Sequence, residues 1–271
     1  LKISEYPECM QYQGQSPVIS ISLKSMKQGS YKDAFHMFKV LIAREYDRHK
    51  VILKSGKISD SERDLFHSIL TQRAEDAFYL DSIKFLSDIM VKYYNKNVII
   101  LIDEYDVPLE NAFHQGFYTD MVNLIRSVFE SALKTNPSLD RAFLTGCLRV
   151  SKESIFTGLN NLQIFSIMST KFDDSFGFTQ EEINVMLECY DLTDKSSDIA
   201  HWYDGYKFND VDIYNPWSVL NYLSEAAEKS SALCKPYWSN TSSNEIVKRL
   251  IEESNDRTKN AIEELINGTP V

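Results

Sequence analysis

The longest uninterrupted run of large apolar residues, Val98 to Ile102, is followed directly by two carboxylates, Asp103 and Glu104. A continuous β-branched and leucine run of this kind predicts a strand that is covered on both faces, as in a parallel sheet. Ligands bind at the carboxyl edge of the strands in open α/β sheets, so the two carboxylates stand where a site is expected. The run is far shorter than the roughly 20 apolar residues that cross a bilayer, which excludes a membrane span.

Short apolar strands alternate with long helical patterns through the first two thirds of the chain. Residues 18–23 alternate strictly, with Ile19, Ile21 and Leu23 on one face, and Ser30 is placed to cap the helix that follows. Strand, helix, strand, helix, strand in this order predicts an open α/β sheet. Strands are expected at 18–23, 98–102, 142–148 and 163–168, and helices at 30–53, 74–94 and 118–134.

The pattern changes after residue 178. Thr179 and Glu182 form a capping box ahead of an apolar helical stripe. A hairpin is expected at 206–214, and Asn215 with Pro216 begins another helix. These elements predict a mostly α unit with a winged-helix-like element order, so the expected domains are 1–178 and 179–271. Further helices are expected at 242–253 and 258–266.

The charge and cysteine content narrow the classes of function. The chain has 29 Lys and Arg against 39 Asp and Glu, a net charge of −10, which removes the long-range attraction on which non-specific nucleic-acid binders rely. Its four cysteines stand far apart without a C-x-x-C pair, which is typical of reduced thiols in the cytosol. The chain opens on Leu1 without a visible signal peptide, so we expect sequence upstream and a cytoplasmic protein.

Asp103 and Glu104 can divide the work of phosphoryl transfer. In this interpretation Asp103 holds Mg²⁺, usually through water, and Glu104 orients or deprotonates the water that attacks the phosphoryl group. Asp106 is a third carboxylate for the metal. The alternative is that Asp103 and Glu104 start a solvated loop, and that Asp106 before Pro108 marks a turn. The segment alone leaves both interpretations open.

Polar residues near the end of the next expected strand are placed at the same edge. Thr145 supplies a hydroxyl, while Arg149 and Lys152 supply cations that would contact a γ-phosphate or stabilise charge in the transition state. Ordinary surface charges at a strand-to-loop junction are the alternative. The aromatic run at 202–206 is suited either to stack on a base or to pack at a domain seam.

Several longer motifs resemble a known family. They are IDEYDVPL at 102–109, LTG at 144–146, LRVSKESIF at 148–156, GLNN at 158–161, FGFT at 176–179, WYDGY at 202–206, YNPWS at 214–218 and WSNTS at 238–242. From Val98 to about Asn244 the chain resembles the bacterial AAA-ATPase-like proteins. These are related to the archaeal and STAND-type P-loop ATPases and are often fused to a PD-(D/E)xK-type nuclease domain.

The resemblance implies a nucleotide-binding P-loop-NTPase-like α/β core followed by a winged-helix-like lid. In that core Asp103 and Glu104 are the Walker B pair, and the strand end from Thr145 to Arg149 is a sensor. Mg²⁺ and ATP are the cofactors implied for the full-length protein, in which nucleotide would switch the arrangement of core and lid. The residues implied near the adenine are Tyr203, Pro216 and Trp217.

The sequence departs from this family at the phosphate loop. The family carries Gly-Lys-Ser or Gly-Lys-Thr before the strand equivalent to 18–23, but here only Gly56 is followed by lysine, and Ile58 comes next. The loop supplies most of the β/γ-phosphate binding. We therefore expect the first strand and the phosphate loop upstream, and no ATPase activity from these residues alone.

Two other functions stay open at this point. One is a non-catalytic interaction module that binds no nucleotide and holds a protein partner, or a second copy of itself, where the missing strand leaves apolar surface exposed. The other is a metal nuclease using Asp103, Glu104 and Asp106. Such sites usually need a lysine next to the last carboxylate, and Val107 and Pro108 stand there instead.

Overall fold

The computed structural model describes residues 2–147, 155–156, 162–229, 231–238, 251–252 and 254–267. The chain divides into two compact units, Leu1–Leu162 and Gln163–Val271. The boundary between core and lid expected after residue 178 stays a prediction.

A three-stranded parallel sheet forms the centre of the first unit. Its strands lie in the order β1 (Val18–Ser22), β2 (Val98–Asp103) and β3 (Leu139–Leu144), so the long apolar run is the central strand. The register places Ser22 beside Asp103, at the carboxyl edge. The α/β class and the parallel sheet expected from the sequence are confirmed.

The first unit contains the expected helices, one of them divided in two, and three helices that the sequence analysis did not predict, at 7–10, 60–70 and 107–115. Together these helices are α1 (Pro7–Met10), α2 (Tyr31–Arg48), α3 (Asp60–Leu70), α4 (Asp76–Leu80), α5 (Ser82–Tyr94), α6 (Val107–Gln115) and α7 (Tyr118–Phe129), the last continuing as a π-helical turn (Glu130–Lys134). α2 starts where expected because the Ser30 side chain accepts the Asp33 N–H. The single helix expected over 74–94 is two helices, α4 and α5. They part at Asp81, whose backbone is not helical and whose carboxylate accepts a hydrogen bond from Ser131 Oγ.

The two faces of the sheet are covered unequally. On one face Ile19, Ile21, Ile100 and Ile102 are buried in the core built with α2, α5 and α7. On the other face the side chains of β2 are only half-buried, and Phe143 of β3 is 55% exposed. The sequence predicted a central strand covered on both faces, and the structure covers one of them fully. The second face therefore retains apolar surface.

The outer edge of β1 is blocked by a buried carboxylate. Glu45 of α2 accepts the Ser20 N–H (2.9 Å), the imidazole of His49 lies 3.1 Å away, and Arg48 donates at 2.6 Å. Burial alone would raise the pKa of Glu45, but the hydrogen bonds from His49, Ser20 and Arg48 outweigh it and lower that pKa. The amide that an added strand would use at Ser20 is thus already bonded.

The outer edge of β3 has no partner among the described residues. Thr145 N–H donates to the Ile102 carbonyl (2.9 Å), so the alternate amides of Ala142 and Leu144 point away from β2. Neither of these amides donates to another described residue. Among the described residues, therefore, an amide of β1 is occupied at its outer edge, while two amides of β3 are not.

The second unit contains helices and one hairpin, as the sequence predicted. Its elements among the described residues are α8 (Gln180–Cys189), α9 (Ser196–Tyr203), β4 (Asp204–Phe208), β5 (Val211–Tyr214), α10 (Pro216–Glu228) and α11 (Asp256–Ile266). Both halves of the capping box of Thr179 and Glu182 are present, and the Asn215 side chain accepts the Ser218 N–H at the start of α10. β4 and β5 pair antiparallel. The likeness to a winged helix stays a prediction.

One expected strand of this unit is absent. Residues 163–168 are mostly apolar but have no regular structure, and Ile167 and Met168 are exposed. A strand needs a hydrogen-bonded ladder with a neighbour, and the backbone bond from another described segment is the single one from Asn209 N–H to the Ile167 carbonyl (2.7 Å). The helix expected over 242–253 falls, apart from its end, outside the described residues. Every helix among the described residues is too short or too polar to pass through a lipid bilayer.

Candidate functional site

Asp103 is held between hydroxyl groups from both neighbouring strands. Its Oδ1 accepts a hydrogen bond from Thr145 Oγ1 at 2.5 Å, and its Oδ2 lies 3.5 Å from Ser22 Oγ. Ser22 ends β1 and Thr145 directly follows β3, so three parallel strands bring these side chains to one edge. The three residues remain exposed to solvent. The carboxylate is thereby oriented and still accessible to a ligand.

Glu104 has a different environment although it is the next residue. Its backbone is left-handed, with φ of 52°, which is uncommon outside glycine and costs conformational energy. Its carboxylate oxygen Oε1 lies 3.8 Å from the Lys24 ammonium nitrogen. The two adjacent carboxylates thus contact different partners, as two different roles would require.

Asp106 is buried beneath Gly146. It is 1% exposed and lies at the N-terminus of α6. A methyl group built on Gly146 would come within 2.6 Å of Asp106 Oδ1 and 2.9 Å of the Tyr105 ring. Glycine is therefore needed here for the close approach of the two segments, and the metal-binding role expected for Asp106 stays a prediction.

The thiol of Cys147 reports a negative electrostatic potential at this edge. Desolvation raises its pKa, and the carboxylates of Asp106, Glu104, Glu110 and Asp103 raise it further, in that order. A potential that disfavours a thiolate favours a cation.

The donors at the strand edge fit Mg²⁺. Asp103 supplies a carboxylate beside two hydroxyls, and hard cations of this kind take oxygen ligands. Among the described residues no cluster of three or more His, Cys, Asp or Glu has metal-ligating geometry. Mg²⁺ commonly takes only one or two protein carboxylates and completes its shell with water and phosphate oxygens. Asp103 is the residue here that could hold it.

The second unit contains an apolar pocket of about 280 Å³. Its lining residues are Phe176, Gly177, Tyr206, Phe208, Ile213, Tyr214 and Pro216. Gly177 has φ of +120°, and a Cβ there would lie 2.3 Å from Ile213 Cγ2, so the shape of the pocket depends on this glycine.

The other residues expected at the site have different surroundings in the structure. Pro216 lines the pocket, and Trp217 beside it is exposed. Tyr203 is buried between Tyr222 and Tyr237, with its hydroxyl bonded to the backbone of Lys235, so its ring is occupied by packing. A base-contacting role for all three stays a prediction. Arg149 and Lys152 lie outside the described residues.

Comparison with known proteins assigns the family. The family model described as predicted AAA-ATPase matches residues 1–156, which is more than half of the 271 residues. The chain belongs to this predicted AAA-ATPase family. The residues that match the AAA-ATPase-like model contain the three-stranded sheet and the strand edge at which Asp103 lies.

A relative extends the comparison without adding an activity. The "Uncharacterized protein in vnfD 5'region" of Azotobacter chroococcum mcd 1 is 28% identical over 147 residues, which are 54% of this chain and 27% of the relative. The chain thus spans about a quarter of the length of that protein. No solved structure matches the AAA-ATPase-like chain.

Two residues of this edge were missed by sequence reasoning. Ser22 and Lys24 contact Asp103 and Glu104 although about 80 residues separate the pairs along the chain. Only their positions in the sequence could have indicated them. Ser22 and Lys24 lie at or just after the end of an expected parallel strand, and the carboxyl ends of parallel strands meet at one edge of the sheet.

Proposed function

We propose that the chain is the larger part of an ATP-binding and ATP-hydrolysing module that acts as a nucleotide-dependent switch. The observation that carries this proposal is the Asp103 carboxylate, held by Thr145 and Ser22 at the carboxyl edge of a parallel sheet in a negative potential. Membership of the predicted AAA-ATPase family supports the same chemistry.

The proposed roles follow from the different partners of the two carboxylates. Asp103 would hold Mg²⁺, and Thr145 and Ser22 would fix the direction in which its oxygens point. Bound Mg²⁺ would neutralise charge on the phosphate oxygens. Glu104, free of those hydroxyls, would orient and deprotonate the attacking water. Arg149 and Lys152 would supply cations for the γ-phosphate, and Pro216 and Trp217 are the proposed contacts of the base.

Phosphate binding in this proposal depends on a Gly-Lys-Ser or Gly-Lys-Thr loop outside residues 1–271. The outward amides of β3, which bond to no described residue, and the partly uncovered face with Phe143 support the pairing of one more strand of the full-length protein there. A strand at β3 would lie beside Thr145, so the loop that follows it would reach the Asp103 edge.

The test separates nucleotide binding from turnover in the full-length protein. We expect Glu104→Gln to retain Mg-ATP binding and to lose hydrolysis, because only the group that activates water is removed. Glu110→Gln is the matched control. It removes one of the carboxylates that raise the pKa of Cys147, but Glu110 lies in α6 and not at the end of a strand. Equal loss of binding and turnover in Glu104→Gln would contradict the role proposed for it.

A non-catalytic interaction module is the second candidate, favoured by the exposed Phe143 of β3. This function predicts that a partner strand, or a second copy of the chain, covers β3 without nucleotide. Calorimetric titration of the full-length protein with Mg-ATP separates the two, because tight binding would exclude a module that binds no nucleotide.

A further inference from the structure

An exposed apolar loop lies beside the pocket of the second unit. Residues 164–176 contain six large apolar side chains that are exposed to solvent: Ile164, Phe165, Ile167, Met168, Phe172 and Phe176. Phe176 is 66% exposed and also lines the pocket, so the loop and the pocket form one apolar surface. Large exposed apolar patches rimmed by polar residues mark interaction sites.

Contacts within the second unit hold this loop in one shape. Asn209, in the hairpin turn, donates its backbone N–H to the Ile167 carbonyl (2.7 Å) and its side-chain amide to Asp173 Oδ2 (3.5 Å). The rings of Phe165 and Phe172 pack edge to face with centroids 5.0 Å apart. A loop that is already shaped loses little conformational entropy when a partner binds, which favours binding.

The pocket suits an apolar side chain of a partner. Its volume of about 280 Å³ is slightly below the range of about 300–1,000 Å³ that is usual for small-molecule sites. Its lining side chains are mostly apolar or aromatic. A side chain that fills such a pocket is typical of the few residues that carry most of the binding energy in a protein interface.

The charged residues of the loop and of the neighbouring hairpin are mainly acidic. Residues 164–178 and 204–214 contain five aspartates and two lysines. Lys171 lies over two aromatic rings of the loop, 5.3 and 5.1 Å from their centroids, and the ammonium nitrogen of Lys207 lies 3.9 Å from a carboxylate oxygen of Asp212. Both lysines are therefore already engaged within the unit.

Two of the aspartates are available to a partner. Asp174 and Asp210 are exposed, and the described part of the chain contains no cation within ion-pair distance of either carboxylate. The potential beside the apolar surface is therefore negative, and it favours a partner that carries positive charge.

We propose that this apolar surface binds a segment of another protein that carries an apolar side chain next to lysine or arginine. The apolar side chain fills the pocket, and the cations lie beside Asp174 and Asp210. A second copy of this chain would bring the same acidic residues to an isologous contact, where like charges repel. Nucleic acids and anionic lipid surfaces are negatively charged and are repelled as well. The proposal goes beyond the proposed function and does not depend on ATP hydrolysis.

Selection from a phage-displayed library of random short peptides on the immobilised full-length protein tests the chemistry of the partner. Compared with the unselected library, the enriched sequences should place Phe, Leu, Ile or Met next to Lys or Arg. Absence of enrichment would overturn the proposal, and so would enrichment of acidic or purely polar sequences. The selection uses no ATP, so a failure of the proposed function leaves its outcome unaffected.

Variants of the full-length protein test the place of binding. The affinity of the most enriched peptide is measured by fluorescence anisotropy for the wild type, Phe176→Ser and Met168→Ser, which both change mostly exposed side chains. Phe176→Ser should weaken binding about 10-fold or more, the loss typical of an apolar anchor, and Met168→Ser should weaken it less. Val185→Ser is the matched control, since Val185 is an exposed apolar residue of α8 outside the pocket lining. Equal affinities in Phe176→Ser, Met168→Ser and Val185→Ser would overturn the proposal.

Charge variants test the acidic rim. Asp174→Lys and Asp210→Lys should each weaken binding of the same peptide about two- to five-fold, as expected for exposed charge pairs. Glu188→Lys, at an exposed position of α8, is the control and should leave the affinity unchanged. Added salt should weaken binding by the wild type, because salt screens exposed charges. An affinity that neither salt nor these substitutions change would contradict a basic partner.

Discussion

Gly146→Ala tests the packing that brings the end of β3 against Asp106. The new methyl group would lie 2.6 Å from Asp106 Oδ1, 2.9 Å from Tyr105 Cε1 and 3.0 Å from Asp106 Cγ, all closer than van der Waals contact. Neither neighbour can turn away easily, since Asp106 is buried and the Tyr105 ring packs edge-on against Phe156 with centroids 5.3 Å apart. Overpacking of this kind costs about 1–3 kcal/mol.

The assay can follow the two units separately. All three tryptophans, Trp202, Trp217 and Trp238, lie in the second unit, so their fluorescence reports that unit, while far-UV circular dichroism also reports the first. We expect Gly146→Ala to lower the urea midpoint of the first unit by about 0.5–1.5 M, taking a slope of about 2 kcal/mol per M.

Gly56→Ala is the matched control because a Cβ at Gly56 meets no atom within 4 Å. Gly56→Ala should leave the free energy of unfolding unchanged or raise it by up to about 1 kcal/mol, because alanine lowers the conformational entropy of the unfolded chain. Equal midpoints for Gly146→Ala and Gly56→Ala would refute the close approach of Gly146 to Asp106.

Two further predictions follow from the titrating groups of the first unit. Hydrogen bonds hold the pKa of Glu45 below its ordinary value of 4.5, so the stability it contributes is complete above about pH 4.5 and is lost as the pH falls through the folded pKa. The urea midpoint of Glu45→Gln should therefore be lower than that of the wild type at pH 7, with the gap narrowing toward pH 3; a constant gap would contradict this. In a variant that keeps only Cys147, alkylation by neutral iodoacetamide should speed up with added salt, which screens the carboxylates that raise its pKa. A rate that does not depend on salt would contradict the negative potential.

Local signals in the sequence predicted the parts of the fold that depend on neighbouring residues. The Ser30 cap, the capping box of Thr179 and Glu182, and the start of α10 at Asn215 are each complete within four residues, so sequence alone specifies them. The run at 98–102 predicted the central strand, and with it the position of Asp103 at the carboxyl edge.

Features that depend on distant contacts were missed or wrong. The break at Asp81 accompanies a hydrogen bond from Ser131, 50 residues away, and the contact of Ser22 with Asp103 spans 81 residues. The strand expected at 163–168 was wrong because a short apolar segment does not specify a hydrogen-bonded neighbouring strand. Periodicity cannot show which strand edge is open, since the blocked edge of β1 depends on Glu45 in α2.

The most direct test of the account is the Mg²⁺ dependence of ATP binding by the full-length protein, measured calorimetrically for the wild type and Asp103→Ala. If Asp103 holds the metal, its removal should weaken binding of Mg-ATP by about 10- to 100-fold, the loss expected for a charge-assisted contact. In the presence of EDTA, the wild type and Asp103→Ala should bind ATP with the same affinity. The Mg-ATP affinity of the control Glu110→Gln should equal that of the wild type. An unchanged Mg-ATP affinity in Asp103→Ala would contradict the assignment of this strand edge as the nucleotide site.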